Sequence, residues 1–301
     1  MEEIPDPTPG TGQFVIDVRA IGVNPVDTYI RAGTYGPREF PFTPGHDGAG
    51  VVSRVGSGCG VSVGERVYVC RSASGTYAER ALCAWEHAGR LPDGLSFEQG
   101  AAVGVAYWTA WRAIHQRARL RPGERVLVHG GSGGVGVAAV QIARAAGAFV
   151  CASAGSGEGL DLVRREGAHA SIDHTRQGYL DGSGELTGGN GWDVIIEMLA
   201  NVNLDRDLGV LGRGGRVVVV GNRGRVEIDA RQTMTRDLSV LGMSLFNASA
   251  SELAEVRAGV GAGLEQGWLR PVVGRAMPLD QAPRAHEAIY ERAHGKVVLV
   301  P

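Results

Sequence analysis

The stretch Val126-Leu-Val-His129-Gly130-Gly131-Ser132-Gly133-Gly134-Val135-Gly136-Val137-Ala138-Ala139-Val140-Gln141-Ile142-Ala143-Arg144 reads as strand, glycine turn and helix. The apolar run Arg125 to Val128 has the length and β-branched content of a buried parallel strand, and Ala138 to Ala146 has helix-forming composition with apolar spacing near 3.6. Gly131-Ser-Gly133-Gly-Val-Gly136 between them fits G-x-G-x-x-G. In that pattern the first glycine permits a tight turn, the second lets backbone approach a pyrophosphate, and the third lets helix pack closely on strand. Chance matches are expected in a chain with 47 glycines, so the weight lies in the flanking strand and helix.

A length of 301 residues suggests two domains at about 150 residues each. With 44% hydrophobic and 21% charged residues, the chain has globular rather than disordered composition. A net charge of −2 argues against whole-surface attraction to nucleic acid or acidic membranes. The basic residues are nearly all arginine, and the only lysine is Lys296. No run of 18 apolar residues occurs, and Met1-Glu-Glu-Ile-Pro-Asp-Pro is unlike a targeting peptide, so the expected location is cytoplasmic with no membrane contact. Cys59, Cys70, Cys83 and Cys151 form no C-x-x-C pair, and neither a zinc lobe nor a disulfide framework is expected.

Phe14 to Val23 alternates in part, as a half-buried strand does. Asn24-Pro25-Val26-Asp27 then breaks the strand and starts a short helix through Tyr29 and Ile30. Further strands are expected at Gly50 to Val55, Arg66 to Cys70 and Tyr77 to Leu82, making a small barrel or sandwich. Ser96 with Gln99 fits a capping box before one or two helices over Ala101 to Leu120. From Arg125 strands alternate with helices: Val126–Val128, Phe149–Ala152, Ser171–Asp173, Val194–Glu197, Val217–Val220 and Val240–Met243 are six strand candidates for a doubly wound parallel sheet. A helix from Glu252 to Gln266 and a strand from Lys296 to Val300 return to the first domain. The expected division is 1–100 with 248–301, and 101–247. At the end of the second strand of the parallel sheet, Cys151-Ala-Ser153-Ala-Gly155-Ser156 offers no carboxylate before Glu158. That leaves room for the 2′-phosphate of NADP, with Ser153, Ser156, Arg164, Arg165, His174 and Arg176 nearby in sequence.

The glycine motif followed by Ala-Ala-Val-Gln-Ile-Ala-Arg resembles the medium-chain dehydrogenase/reductase superfamily. Ile195-Ile-Glu-Met-Leu-Ala-Asn-Val-Asn-Leu204, Gly214-Gly-Arg-Val-Val-Val-Val-Gly221, Thr233-Met234, Gly267-Trp-Leu-Arg-Pro271, Ala285-His-Glu287, Asn24-Pro-Val-Asp-Thr-Tyr29-Ile-Arg and Gly33-Thr-Tyr35 narrow the resemblance to its zinc-free NADPH:quinone reductases, the zeta-crystallin family. It covers nearly the whole chain and implies a GroES-like barrel, a Rossmann domain, a cleft between them and a homotetramer. The chain begins where the family is entering its second strand, so the barrel is expected to lack its first.

Carried over by motif, the resemblance places NADPH against Tyr29, Ser132, Gly133, Gly134, Val135 and Gly155, with His174 near the adenosine phosphate. Asn203, Val220, Gly221, Asn222, Arg223, Met243, Ser244 and Leu245 would line the nicotinamide half. Tyr29 and Tyr35 are the candidates for hydrogen bonds to the quinone oxygen or the nicotinamide ribose; each also suits an amphipathic packing position. Gly45-His46-Asp47 resembles part of a catalytic zinc site in related alcohol dehydrogenases, but Ile21-Gly-Val-Asn24 lacks the cysteine ligand, and no metal is expected. Asp47 is assigned instead to hydrogen bonding where the two domains join. Without zinc the substrate must supply its own electrophilicity, as a quinone does, and one-electron transfer is one course the resemblance allows. A zinc-free enoyl or alkenal reductase is the alternative enzyme. A binding role, as a lens protein or on AU-rich RNA, rests on the resemblance alone.

Overall fold

In a computed structural model, which describes residues 2–291 and 294–301, the chain divides into two compact units: Met1–Trp108 with Ser249–Pro301, and Thr109–Ala248. The first unit is built on strand β1 (Gln13–Gly22), which pairs antiparallel with β2 (Asp47–Val55) and with β4 (Arg80–Ala84). β3 (Arg66–Val69) and β5 (Ala88–Arg90) extend the sheet beyond β2. Its central place buries β1 more completely than alternation suggests: Phe14, Val15, Ile16, Ala20 and Ile21 all have 0% exposure. Tyr77 lies outside β4, because the backbone there is spent elsewhere: the N–H groups of Thr76 and Tyr77 donate to the carbonyls of Gly45 and Pro44.

Helix α1 (Pro25–Arg31) starts at Pro25, behind Asn24, whose backbone N–H donates to Asp27 Oδ2 at 2.9 Å. α2 (Phe97–Ala101) carries the expected capping box, with Gln99 N–H donating to Ser96 Oγ at 3.2 Å and Ser96 N–H to Gln99 Oε1 at 3.0 Å. α3 (Gly104–Trp111) follows.

The second unit holds all six expected strands: β6 (Arg125–Val128), β7 (Phe149–Ala154), β8 (Ala170–Asp173), β9 (Trp192–Glu197), β10 (Leu211–Val219) and β11 (Ser239–Gly242). α4 (Gly134–Ala145), α5 (Gly157–Arg165), α6 (Ala200–Val210) and α7 (Arg231–Arg236) alternate with them. The sheet is parallel throughout, in the order β11-β10-β9-β6-β7-β8. Val126, Leu127, Val128, Val194, Ile195 and Ile196 are fully buried, as both-face burial of a parallel strand requires. From β6 the chain winds outward through β7 and β8, then returns to the other side of β6 for β9 to β11. The strand order therefore reverses between β6 and β9, and in open α/β sheets the crevice at the carboxyl ends of such strands is where ligands bind.

The chain returns to the first unit through α8 (Ala250–Glu265), β12 (Val273–Pro278), α9 (Ala282–Ala288) and β13 (Lys296–Val300), and β13 pairs with β1. The single lysine is buried at this return: Lys296 Nζ lies 2.5 Å from Asn24 Oδ1 and 3.0 Å from Asp47 Oδ2. Asn24 Nδ2 donates to Asp47 Oδ2 at 2.9 Å, and Val105 N–H donates to Asp47 Oδ1 at 2.8 Å. Asp47 opens β2, Lys296 opens β13 and Asn24 follows β1, so one compensated charge pair ties three strands. All these partners belong to the first unit. Among the described residues no helix is long and apolar enough to cross a membrane. Replacing Lys296 by Met should cost about 3–5 kcal/mol in urea unfolding, because Asp47 is left buried and unpaired. The double variant Lys296→Met/Asp47→Asn should recover part of that loss.

Candidate functional site

The glycine turn follows β6 and feeds α4. A Cβ on Gly136 would lie 2.2 Å from the Gly130 carbonyl oxygen and 2.6 Å from Gly131 Cα, so only glycine lets α4 approach this closely. A Cβ on Gly131 would meet Ala152 Cβ at 2.7 Å. Gly133 differs: its Cβ would find only Gly130 O at 3.5 Å, and the residue is exposed. Two glycines thus serve close packing, and the middle one faces open space. Gly133 is also the N-cap of α4, where a glycine has no side chain to cap the helix, so the first-turn N–H groups around Gly134 and Val135 remain donors for an anionic group. A pyrophosphate fits this cradle.

Gly155 and His174 come together at the ends of β7 and β8, where a Cβ on Gly155 would meet His174 Nε2 at 2.7 Å. Ser132 lies against the start of α5, where a Cβ on Gly159 would be 3.1 Å from Ser132 Oγ and 3.2 Å from Ser156 Oγ. Ser156 Oγ caps α5 by accepting from Gly159 N–H at 3.1 Å. The Ser153 hydroxyl is fully buried, accepts from Gly130 N–H at 3.1 Å and lies 3.3 Å from His174 Nδ1. It is a pin between β7 and the glycine turn rather than a hydroxyl open to a phosphate. Arg164 pairs with Asp161 at 3.1 Å and Arg176 lies 3.5 Å from Asp173, both on the surface.

Beyond the switch point, Asn203 on α6 is half-buried; its Nδ2 donates to Glu197 Oε1 at 3.2 Å. The N–H groups of Val220 and Gly221 both donate to the Glu197 carbonyl, and Ala200 N–H donates to the Gly221 carbonyl at 3.0 Å. Asn222 and Arg223 are exposed, the Arg223 N–H bound to Asn201 Oδ1 at 2.9 Å. Met243 N–H donates to the Val219 carbonyl at 3.1 Å. The Ser244 carbonyl accepts from Arg112 Nε at 3.4 Å, while the Leu245 side chain is buried, 5% exposed, and supports this loop from within. The structure therefore gathers Asn203, Val220 and Gly221 around the turn after β9.

A cluster that the sequence reading did not single out underlies that turn. His129, Glu197 and Asp207 are buried, and one nitrogen or oxygen of each lies within 4.8 Å of the others. His129 Nε2 is 2.8 Å from Asp207 Oδ1 and 3.4 Å from Glu197 Oε2. The Tyr179 hydroxyl lies 3.3 Å from both His129 Nδ1 and Asn203 Oδ1. The Leu199 N–H donates to Glu197 Oε1. Burial pushes the carboxyls of Glu197 and Asp207 up to about 7, and burial holds His129 below the ordinary imidazole value. One signal was legible: His129 and Glu197 are ionisable residues ending the apolar runs of two buried parallel strands.

In the first unit, Tyr29 is half-buried on α1 and Tyr35 is 58% exposed in the turn that follows. His46 Nδ1 lies 2.6 Å from Asp27 Oδ1, and Asp47 is engaged by Lys296, Asn24 and Val105. Asp47 is thus bound at both oxygens within the first unit, whereas the Asp27 contact involves only Nδ1 of His46.

Residues 10–103 match the family model described as alcohol dehydrogenase GroES-like domain, and residues 134–258 match that described as zinc-binding dehydrogenase. The human (Homo sapiens) quinone oxidoreductase is 47% identical, over 99% of this chain and 92% of its own length. The 2-haloacrylate reductase of a Burkholderia species is 32% identical over 100% of this chain and 94% of its own. The crystal structure of Escherichia coli quinone oxidoreductase complexed with NADPH superimposes with a TM-score of 0.89, at 30% identity, over 100% of this chain and 95% of that one. With barrel strands, doubly wound sheet and glycine turn all in place, the chain is an oxidoreductase of the quinone oxidoreductase family, within the medium-chain dehydrogenase/reductase superfamily.

Proposed function

We propose that this chain reduces quinones with NADPH and without zinc. The observation that carries the reading is the glycine turn, in which Gly131 and Gly136 are filled by neighbours while Gly133 stays open at an uncapped helix N-terminus. Ser132, Gly133, Gly134 and Val135 would hold the pyrophosphate there. Gly155 with His174 would receive the adenosine end, where the segment after β7 carries no carboxylate before Glu158 and Asp173 beside His174 is bound to Thr175 and paired with Arg176. Asn203, Val220 to Arg223 and Met243 to Leu245 would take the nicotinamide half. When bound, NADPH supplies the hydride. The protein's part is to hold and orient donor and acceptor and to keep water from between them, with Tyr29 and Tyr35 as the groups that orient the quinone.

The zinc-free reading rests on the donor set. Asp47 is engaged at both oxygens by Lys296, Asn24 and Val105, and Ile21 to Asn24 offers no thiol. Assembly into a homotetramer and a cytoplasmic setting belong to the same reading. Supporting assembly, edge strand β11 carries Val240 at 42% exposure, and the preceding Met234 is 77% exposed. The likeness to a 2-haloacrylate reductase favours a second reading, reduction of an activated C=C bond. Relative turnover of a quinone and an enoyl thioester separates the two.

Fluorescence titration with NADPH and NADH, repeated with phenanthrenequinone present, tests the reading. Tight NADPH binding with quinone-dependent oxidation is expected; a folded protein that binds neither nucleotide overturns it. Gly133→Ala should leave stability within about 0.5 kcal/mol, yet weaken NADPH binding roughly tenfold through the lost close approach. Gly136→Ala should instead lower stability by about 1–3 kcal/mol, because its methyl meets backbone.

A further inference from the structure

Glu197 closes β9 and His129 follows β6, so the two face each other across the crevice where strand order reverses. Asn203 and Asp207, four residues apart, share one face of α6. Together with Tyr179 these groups almost close a ring. Asn203 joins Glu197 Oε1 at 3.2 Å, Tyr179 joins Asn203 and His129 at 3.3 Å each, and His129 Nε2 joins Asp207 Oδ1 at 2.8 Å. The open link lies between Glu197 Oε2 and Asp207 Oδ2, both buried and neither with a hydrogen-bond donor. A neutral His129 has one ring proton: held on Nε2 it goes to Asp207 at 2.8 Å ahead of Glu197 at 3.4 Å, and Nδ1 then accepts the single proton of the Tyr179 hydroxyl, which leaves Asn203 Oδ1 in contact with the phenol oxygen but without its hydrogen. Two bare carboxylate oxygens buried side by side repel and lack a donor, and a single proton between them removes both defects.

We propose that Glu197 and Asp207 share one proton beside a neutral His129, and that this acid pair positions Asn203 and the Leu199 backbone for the nicotinamide half of NADPH. The first clause stands on the cluster alone; the second rests on the cofactor reading above. The other titratable and charged groups facing the pair are Tyr179, from the segment after β8, with the His174 ring 6.4 Å beyond it, and Arg206 on α6, whose charge is felt at Tyr179. Burial acts in the same direction on all three members, favouring neutral acids and a neutral imidazole. A tetrahedral metal at ordinary bond lengths spreads its ligands about 3.3 Å apart, wider than the 2.8 Å between His129 and Asp207. That spacing suits a proton rather than an ion. The acids' folded pKa is raised, so the shared proton is held at low pH and lost as pH rises through about 7, leaving like charges beneath the Asn203 turn.

Infrared spectra of the ligand-free protein should show a protonated-carboxyl band at about pH 6 that fades by about pH 9 and is missing in Glu197→Gln. NADPH binding by the wild type should weaken at least fivefold more over that range than binding by Glu197→Gln, an effect of roughly the size of ordinary site coupling. Asp207→Asn, which keeps a donor and an acceptor in place, should behave like Glu197→Gln and serves if that variant does not fold. A missing band at about pH 6, or tight zinc uptake that Glu197→Gln abolishes, overturns the shared proton. A band as expected with wild type and variants losing affinity in parallel overturns the positioning role. A band as expected with no NADPH binding at either pH overturns the cofactor reading and the positioning role with it, while the shared proton stands.

Discussion

The second unit depends on the approach of α4 to the end of β6. With the Gly136 position only 2.2 Å from a carbonyl oxygen once a Cβ is imagined there, the helix start is held against the turn by backbone contact alone. That contact fixes where the uncapped amides of Gly134 and Val135 point, and it leaves Gly133 as the one glycine of the motif with open space over it. The buried Ser153 hydroxyl reinforces the arrangement from β7 by accepting from Gly130 N–H. Any phosphate-binding capacity of the chain follows from this geometry, since no lysine or arginine is needed where a helix terminus supplies the donors.

The two units bury charge in opposite ways. In the first, Lys296 meets Asp47 and Asn24, so cation and anion compensate each other and every oxygen of Asp47 finds a donor. In the second, two buried carboxyls sit beside one buried imidazole, and among the described residues their contacts include no lysine or arginine ion pair. A compensated pair ties strands together. An uncompensated pair must take up a proton to be tolerated, which makes its surroundings sensitive to pH.

Much of the fold was legible because its signals are local. β-branched apolar runs gave six parallel strands, and Ser96 with Gln99 announced the start of α2. Where the reading failed, the cause was tertiary. Tyr77 has strand-like neighbours, yet its backbone N–H goes to the Pro44 carbonyl, a partner 33 positions away that no window of sequence displays. β1 looked half-buried because its polar residues alternate in part, whereas strands on both sides and a buried face beyond them leave hardly any of it exposed.

The site was legible to the same degree. Residues tied to a motif, such as Ser132 to Val135, could be placed because the motif's spacing is itself the geometry of the turn. The role of Ser153 was not legible, because a hydroxyl at the end of β7 looks the same in sequence whether it faces a ligand or the glycine turn. His129, Glu197 and Asp207 come from three separate elements, and only strand order brings them together. Ionisable residues at the carboxyl ends of two buried parallel strands carry a strong expectation when those strands are neighbours at a switch point, for they must then solvate each other or a ligand. Sequence supplied the two residues; the reversal of the sheet between β6 and β9 supplied the reason they meet.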